Sequence, residues 1–340
     1  MDTRKKSKLS VALLCLLIGF PQISESIFTP ILPTLSNALN VTDSNIQLTV
    51  SIYFIGFALG VLIWGILSDK YGRKPIMLLG LLIYLLGNIF LLCSNDFHSI
   101  GPIIGAQLET HFHYMSVFLF LIALATILLI LNFVKLPETN LLKVDYSTKD
   151  IIAVVLRLLK DRFVLLNAFA IAVFNAILFN FYSEAPFIFI NNLKLSTGAY
   201  NTGILIALGT ITGAYVVNSL AVKTSSFDVI RLGISIAVAF SIFSIFTFAN
   251  ANIFMIYISI FGIFLGINIA LPVILKTSLY AYEDVIGIAS GIFGFMYYCM
   301  IGVLTFIMSV IHTGNILVFP IYTLALAIGL SVLILINKKF

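Results

Sequence analysis

Residues 46–75 read IQLTVSIYFIGFALGVLIWGILSDKYGRKP. The first 23 of these, 46–68, carry no charged side chain, and Asp69, Lys70, Arg73 and Lys74 then follow within six positions. About 20 apolar residues suffice to carry a helix across the hydrocarbon core of a bilayer. An uncharged run of this length, stopped by clustered charge, reads as a membrane crossing and the loop that bounds it. The pattern recurs. Apolar segments run over 9–30, 46–67, 76–93, 115–134, 164–190, 200–222, 229–249, 252–275, 285–311 and 315–337, which predicts ten full crossings.

Composition agrees. Of the 340 residues 61% are hydrophobic and 10% charged, with a mean hydropathy of +1.12. A soluble domain carries about 25% charged residues, so a cytosolic enzyme, a nucleic-acid binder and a disordered chain are excluded together. The fold class is all-α integral membrane protein. The net charge of +5 comes from cations grouped at 4–8, 70–74, 135–162, 223–231, 276 and 338–339. Alternate loops are therefore basic, as in the positive-inside pattern, which puts both chain ends in the cytoplasm and leaves Lys194 the only one of 19 Lys and Arg residues outside. Residues 1–20 resemble a signal peptide without a cleavage site and are read as an uncleaved first span. Cys15, Cys93 and Cys299 are too scattered for a disulfide framework or a zinc site. The longest polar break predicts three parts: a transmembrane half-bundle over 1–134, a cytoplasmic loop with an amphipathic helix over 135–163, and a six-helix bundle over 164–340.

The loop after span two, Gly65-Ile-Leu-Ser-Asp69-Lys-Tyr-Gly72-Arg73-Lys74, can be read chemically. Gly65 admits a close helix, Asp69 can face a helix N-terminus or an arginine, Gly72 allows a tight turn, and Arg73 and Lys74 hold the loop inside. At this spacing and position it resembles the signature loop of the major facilitator superfamily. Phe181-Tyr-Ser183-Glu184-Ala-Pro186-Phe187 and Thr29-Pro30-Ile-Leu-Pro33 resemble elements of that superfamily's Bcr/CflA drug-resistance exporters, and Gly101-Pro102-Ile-Ile-Gly105 is similar to the end of its fifth-span antiporter motif. The resemblance implies a secondary transporter of the bacterial inner membrane, a bicyclomycin resistance-like antiporter with no enzymatic activity. It would export small amphipathic compounds, driven by protons and using no bound cofactor; its partners are the substrate, protons and the lipid bilayer, with no nucleic acid.

Against this family the chain has a hole. Pro75 and Pro137 lie 62 residues apart (137 less 75), where the family places helices three to six, and four crossings need about 80. Between Ser94 and Gly101 only six residues remain. Family helix four and most of helix five, on the order of 55 residues at about 20 per crossing, are read as missing. An even number of crossings is lost, so the loops keep their sides. The N-terminal half is thus incomplete, and a transport-inactive remnant or a membrane interaction subunit is the alternative function.

Intramembrane acids are costly to bury and are candidates for transport. Glu25 and Glu184 lie well inside apolar segments, in the similar strings Ser24-Glu25-Ser-Ile-Phe28 and Ser183-Glu184-Ala-Pro-Phe187. The resemblance places them on helices related by the fold's internal repeat. Each either titrates during transport, or bonds a neighbouring helix or sits near the outer water. Asn175, Asn180, Tyr182, Asn268 and Tyr298 either line a substrate cavity or bond between helices. His98, Glu109, His111 and His113 have metal-ligand chemistry but sit in a short outer loop, where solvated residues are the plainer account; no metal is expected.

Overall fold

The computed structural model describes residues 11–26, 32, 36, 41–93, 115–138, 146–195, 202–220 and 224–336. With no water in hydrocarbon to satisfy the backbone, apolar runs of this length fold as helices. In chain order they are α1 (Val11–Ser26), α2 (Asp43–Tyr71), α3 (Arg73–Cys93), α4 (Met115–Lys135), α5 (Thr148–Lys160), α6 (Arg162–Pro186), α7 (Thr202–Leu220), α8 (Ser226–Ala249), α9 (Ile253–Thr277), α10 (Ile286–Ile311) and α11 (Val318–Ile336). A π turn, Phe187–Asn192, extends α6, and a 3-10 segment, Tyr280–Val285, joins α9 to α10.

Helix starts coincide with polar residues that can accept from the first free N–H groups. Thr42 caps α2, Asp161 caps α6 and Asn252 caps α9. Ser147 and Asp150 form a reciprocal capping box on α5.

Among the described residues eight helices are long and apolar enough to cross a membrane. The other two expected crossings fall on α1, with 16 residues, and on α4, whose searched part Leu119–Lys135 counts as a shorter apolar helix. The all-helical membrane fold is as expected.

α2 packs along α10, α10 along α6, and α6 against α9 and α11; α8 lies between α9 and α11, and α7 covers α9. α3 and α4 pair beside α2, with α1 on α4. α6 is the interior helix, with 67% of its span buried against 17% for α2. α2 buries Phe54 and Ala58 and leaves Ile52, Ile55, Leu59 and Ile63 exposed, a face suited to lipid. α5 packs on α6 and α10 through Val154 and Leu158. There Arg157 bonds Asp284 at 2.9 Å and the carbonyl of Ala281, with its guanidinium over the Tyr282 ring.

Candidate functional site

The seam between α2 and α10 carries a carboxylate at each end. Along α2, Gln47 and Asp69 are 22 residues apart, about 33 Å at 1.5 Å per residue. At the first end Asp69 is buried and its carboxylate lies directly against Gly287, where any side chain would collide with it. Gly287 is the second residue of α10, so the negative charge meets the positive end of that helix. One turn further in, a Cβ on Gly65 would stand 3.3 Å from the Gly291 Cα, so the two backbones nearly touch. Tyr146 lies near the same corner; burial and the charge of Asp69 both push its hydroxyl pKa up.

The rest of the loop is tied from the central segment. Gly72 turns at φ +107°. The Glu138 carboxylate accepts from the backbone N–H groups of Arg73 (3.0 Å) and Lys74 (3.1 Å), capping α3. Lys74 Nζ donates to the carbonyl of Phe133 near the end of α4 at 2.9 Å. Glu138 is absent from the sequence-based candidates because it lies 64 residues or more from the groups it caps.

At the opposite end sits a buried polar cluster. Gln47 Nε2 donates to Glu184 Oε1 at 2.8 Å. His312 Nδ1 lies 2.7 Å from the same oxygen and 3.1 Å from Gln47 Nε2. Since the carboxylate oxygen only accepts, the imidazole hydrogen is assigned to Nδ1, directed at Oε1, and the Gln47 amide then donates to that oxygen and not to the ring. Side-chain exposure is 5% for His312 and 3% for Glu184. Gln47 is equally buried, and its Oε1 has no hydrogen-bond partner among the described residues. Three elements meet here: α2 supplies Gln47, α6 supplies Glu184, and His312 ends α10. Ser44 reinforces the contact by donating to the His312 carbonyl at 3.4 Å, and the Phe187 ring packs 5.2 Å from the imidazole.

Burial of the His312 ring works against its cation. The hydrogen bond and charge of Glu184, joined by the charge of Asp43, outweigh that and raise its pKa above the ordinary 6.5. The position at the C-terminus of α10 also suits a cation.

Between the two ends lies an aromatic layer. Phe54 packs on Phe179 at 4.3 Å, Phe57 on Tyr298 at 4.5 Å, and Tyr297 on Tyr298 at 4.6 Å between ring centres. Phe179 in turn meets Tyr182 at 6.1 Å. Tyr182 and Tyr298 therefore lie at the meeting of α2, α6 and α10. Asn175 and Asn268 instead donate to carbonyls of their own helices, Ile171 and Phe264. Asn180 is buried one turn from Glu184, and its Nδ2 has no partner among the described residues. Glu25 falls in α1 with its side chain outside the described part of the structure, and Gly101, Pro102, Gly105, His98, Glu109, His111 and His113 lie outside the described residues. No group of three or more potential metal ligands occurs among the described residues.

A model of the Major Facilitator Superfamily matches residues 14–99 and 96–305. An uncharacterised transporter of Rickettsia felis is 32% identical over 383 aligned positions, covering 94% of each chain. A bicyclomycin resistance protein homolog of Haemophilus influenzae is 29% identical over 101 positions, 30% of this chain and 25% of its own. The crystal structure of the human organic anion transporter MFSD10 (TETRAN) superposes with a TM-score of 0.71 at 14% identity, covering 98% of this chain and 100% of that one, a likeness of fold. On the family match and the full-length relative together, the chain belongs to the Major Facilitator Superfamily and is a membrane transporter by family.

Proposed function

We propose that the chain is a proton-coupled exporter of small amphipathic compounds in a bacterial inner membrane, of the Bcr/CflA type, with both termini cytoplasmic. The observation that carries this reading is Glu184, a carboxylate 3% exposed at the junction of α2, α6 and α10. In this fold the halves rock about sites on the interface between them, near the bilayer midplane, and Glu184 lies along that interface toward the end opposite Asp69. A buried acid there binds and releases a proton at a cost set by its surroundings, which makes it a coupling group. Glu25, on the helix related to α6 by the fold's repeat, is the second candidate. The aromatic layer of Phe54, Phe57, Phe179, Tyr182 and Tyr298 offers stacking surface to an amphipathic ring compound. Asn180 would add a polar contact, whereas Asn175 and Asn268 are engaged within their own helices. The partial likeness to the Haemophilus influenzae protein supports the drug-export specificity, and the basic loops support the orientation. Efflux measured with and without a proton gradient, in the wild type and in Glu25→Gln and Glu184→Gln, tests the reading. Gradient dependence unchanged in both variants removes these acids from the mechanism.

The alternative, a transport-inactive remnant or interaction subunit, is favoured by two observations. The matched 94% of this chain, about 320 residues, is spread over 383 positions of the Rickettsia felis alignment, which leaves about 63 positions without a residue here. The family match also breaks into two segments at residues 96–99, inside the stretch where helices four and five are read as missing. A folded, reconstituted protein that moves no substrate decides for this alternative.

A further inference from the structure

We infer that one proton shared between Glu184 and His312 holds the seam between α2 and the α6–α10 pair shut at the end opposite Asp69, with Gln47 as the strut that transmits its presence to α2. The inference rests on the reading of Glu184 as a coupling acid and adds what its proton does.

With the proton in place the pair is an imidazolium facing a carboxylate, net neutral, and both can stay buried. Gln47 Nε2 and His312 Nδ1 then donate to one oxygen, Oε1. When the imidazolium gives its proton to water, Glu184 becomes a buried carboxylate with no compensating charge. That is far costlier than a buried polar group or an ion pair. The seam relieves it by parting and letting water reach the carboxylate. Gln47 Oε1, without a partner among the described residues, also gains a hydrogen bond when water enters the parted seam. Among the described residues the titratable groups facing His312 are Glu184 from α6 and Asp43 from the first turn of α2; its other described neighbours, Ser44 and Gln47 on α2 and Phe187 on the π turn, are neutral. Both charges hold the proton on the ring, consistent with its raised pKa. The sign follows. Closure is complete below the ordinary imidazole pKa and is lost as pH rises through the raised value. In a proton-driven exporter this orders the cycle, because a proton taken from the acidic outer side closes that side.

The test places spin labels at Asn45→Cys on α2 and Asn191→Cys beyond α6, both exposed, with Cys15, Cys93 and Cys299 replaced by Ser, in lipid nanodiscs without substrate. Electron–electron distance distributions are recorded from pH 6 to 9. The wild-type pair is expected to be short at pH 6 and to lengthen as pH rises. Glu184→Gln, which leaves no charge to uncover, stays short throughout. His312→Gln keeps a donor but no cation, and its midpoint moves to lower pH by about one unit or more. His312→Lys keeps a cation to higher pH and moves the midpoint the other way. A flat wild-type profile, or variants that retain the wild-type midpoint, overturns the inference. Should His312→Gln not fold, the opposite displacement by His312→Lys still decides. Proton-driven efflux with a flat distance profile removes this inference alone; an intact pH-dependent opening without efflux removes the transport reading alone.

Discussion

The seam between α2 and α10 is closed by a carboxylate at each end, and the partners differ in kind. Asp69 faces the backbone at the start of α10, packed against Gly287 with Gly65 and Gly291 in close approach nearby. This end is held by close packing of backbone and carboxylate at the positive end of α10. Glu184 faces side chains: an amide from α2 and an imidazole at the end of α10. The imidazole is titratable, with its pKa held above the ordinary 6.5 by Glu184 and Asp43. The same helix pair thus joins a fixed contact to a titratable one, and a rocking transporter needs a means of releasing one end independently of the other.

The titratable end is the more sensitive to substitution. His312→Leu leaves Glu184 buried with the Gln47 amide but without a cation, and removing one partner of such an ion pair costs about 3–5 kcal/mol; thermal unfolding of the purified protein should show it as the largest loss. The double substitution Glu184→Leu with His312→Leu should recover most of that loss, because a buried ion pair replaced by apolar groups is often neutral. At the fixed end Gly287→Leu should cost about 1–3 kcal/mol by overpacking against Asp69, with no pH dependence of its own. Gly65→Ala should cost less, about 1 kcal/mol, since a neighbour 3.3 Å away has to give only slightly. Arg157→Ala, which removes the half-exposed pair with Asp284 away from the seam, should cost under about 1 kcal/mol and leave both ends unaltered. A large effect from Arg157 would show that α5, rather than the α2–α10 seam, dominates the closure.

These contacts were unequally legible in the sequence. The spans are readable because crossing a bilayer demands a long uncharged run, and such runs are local. Asp69 is readable for the same reason: its glycines and cations stand within ten residues of it. Glu184 stands out as an acid in an apolar segment. Its partners do not, since Gln47 is 137 residues away and His312 is 128, and a single amide or a histidine after a span has no local signature. Asn175 and Asn268 show the reverse failure. Their chemistry allows a cavity or an interhelical bond, yet each returns to a carbonyl four residues back, a choice decided by packing. Glu138 combines both difficulties, an acid in a polar loop whose function is to cap a distant helix.

Under the proposed function, a proton at Glu184 drives transport across this seam. Proteoliposomes loaded with ethidium, a fluorescent amphipathic cation, and subjected to an imposed pH gradient test it most directly. The wild type should move the dye against its own concentration gradient only while the pH gradient lasts, Glu184→Asp should retain that dependence, and Glu184→Gln should lose it. Uphill movement by Glu184→Gln with undiminished dependence on the pH gradient would show that Glu184 does not carry the coupling proton.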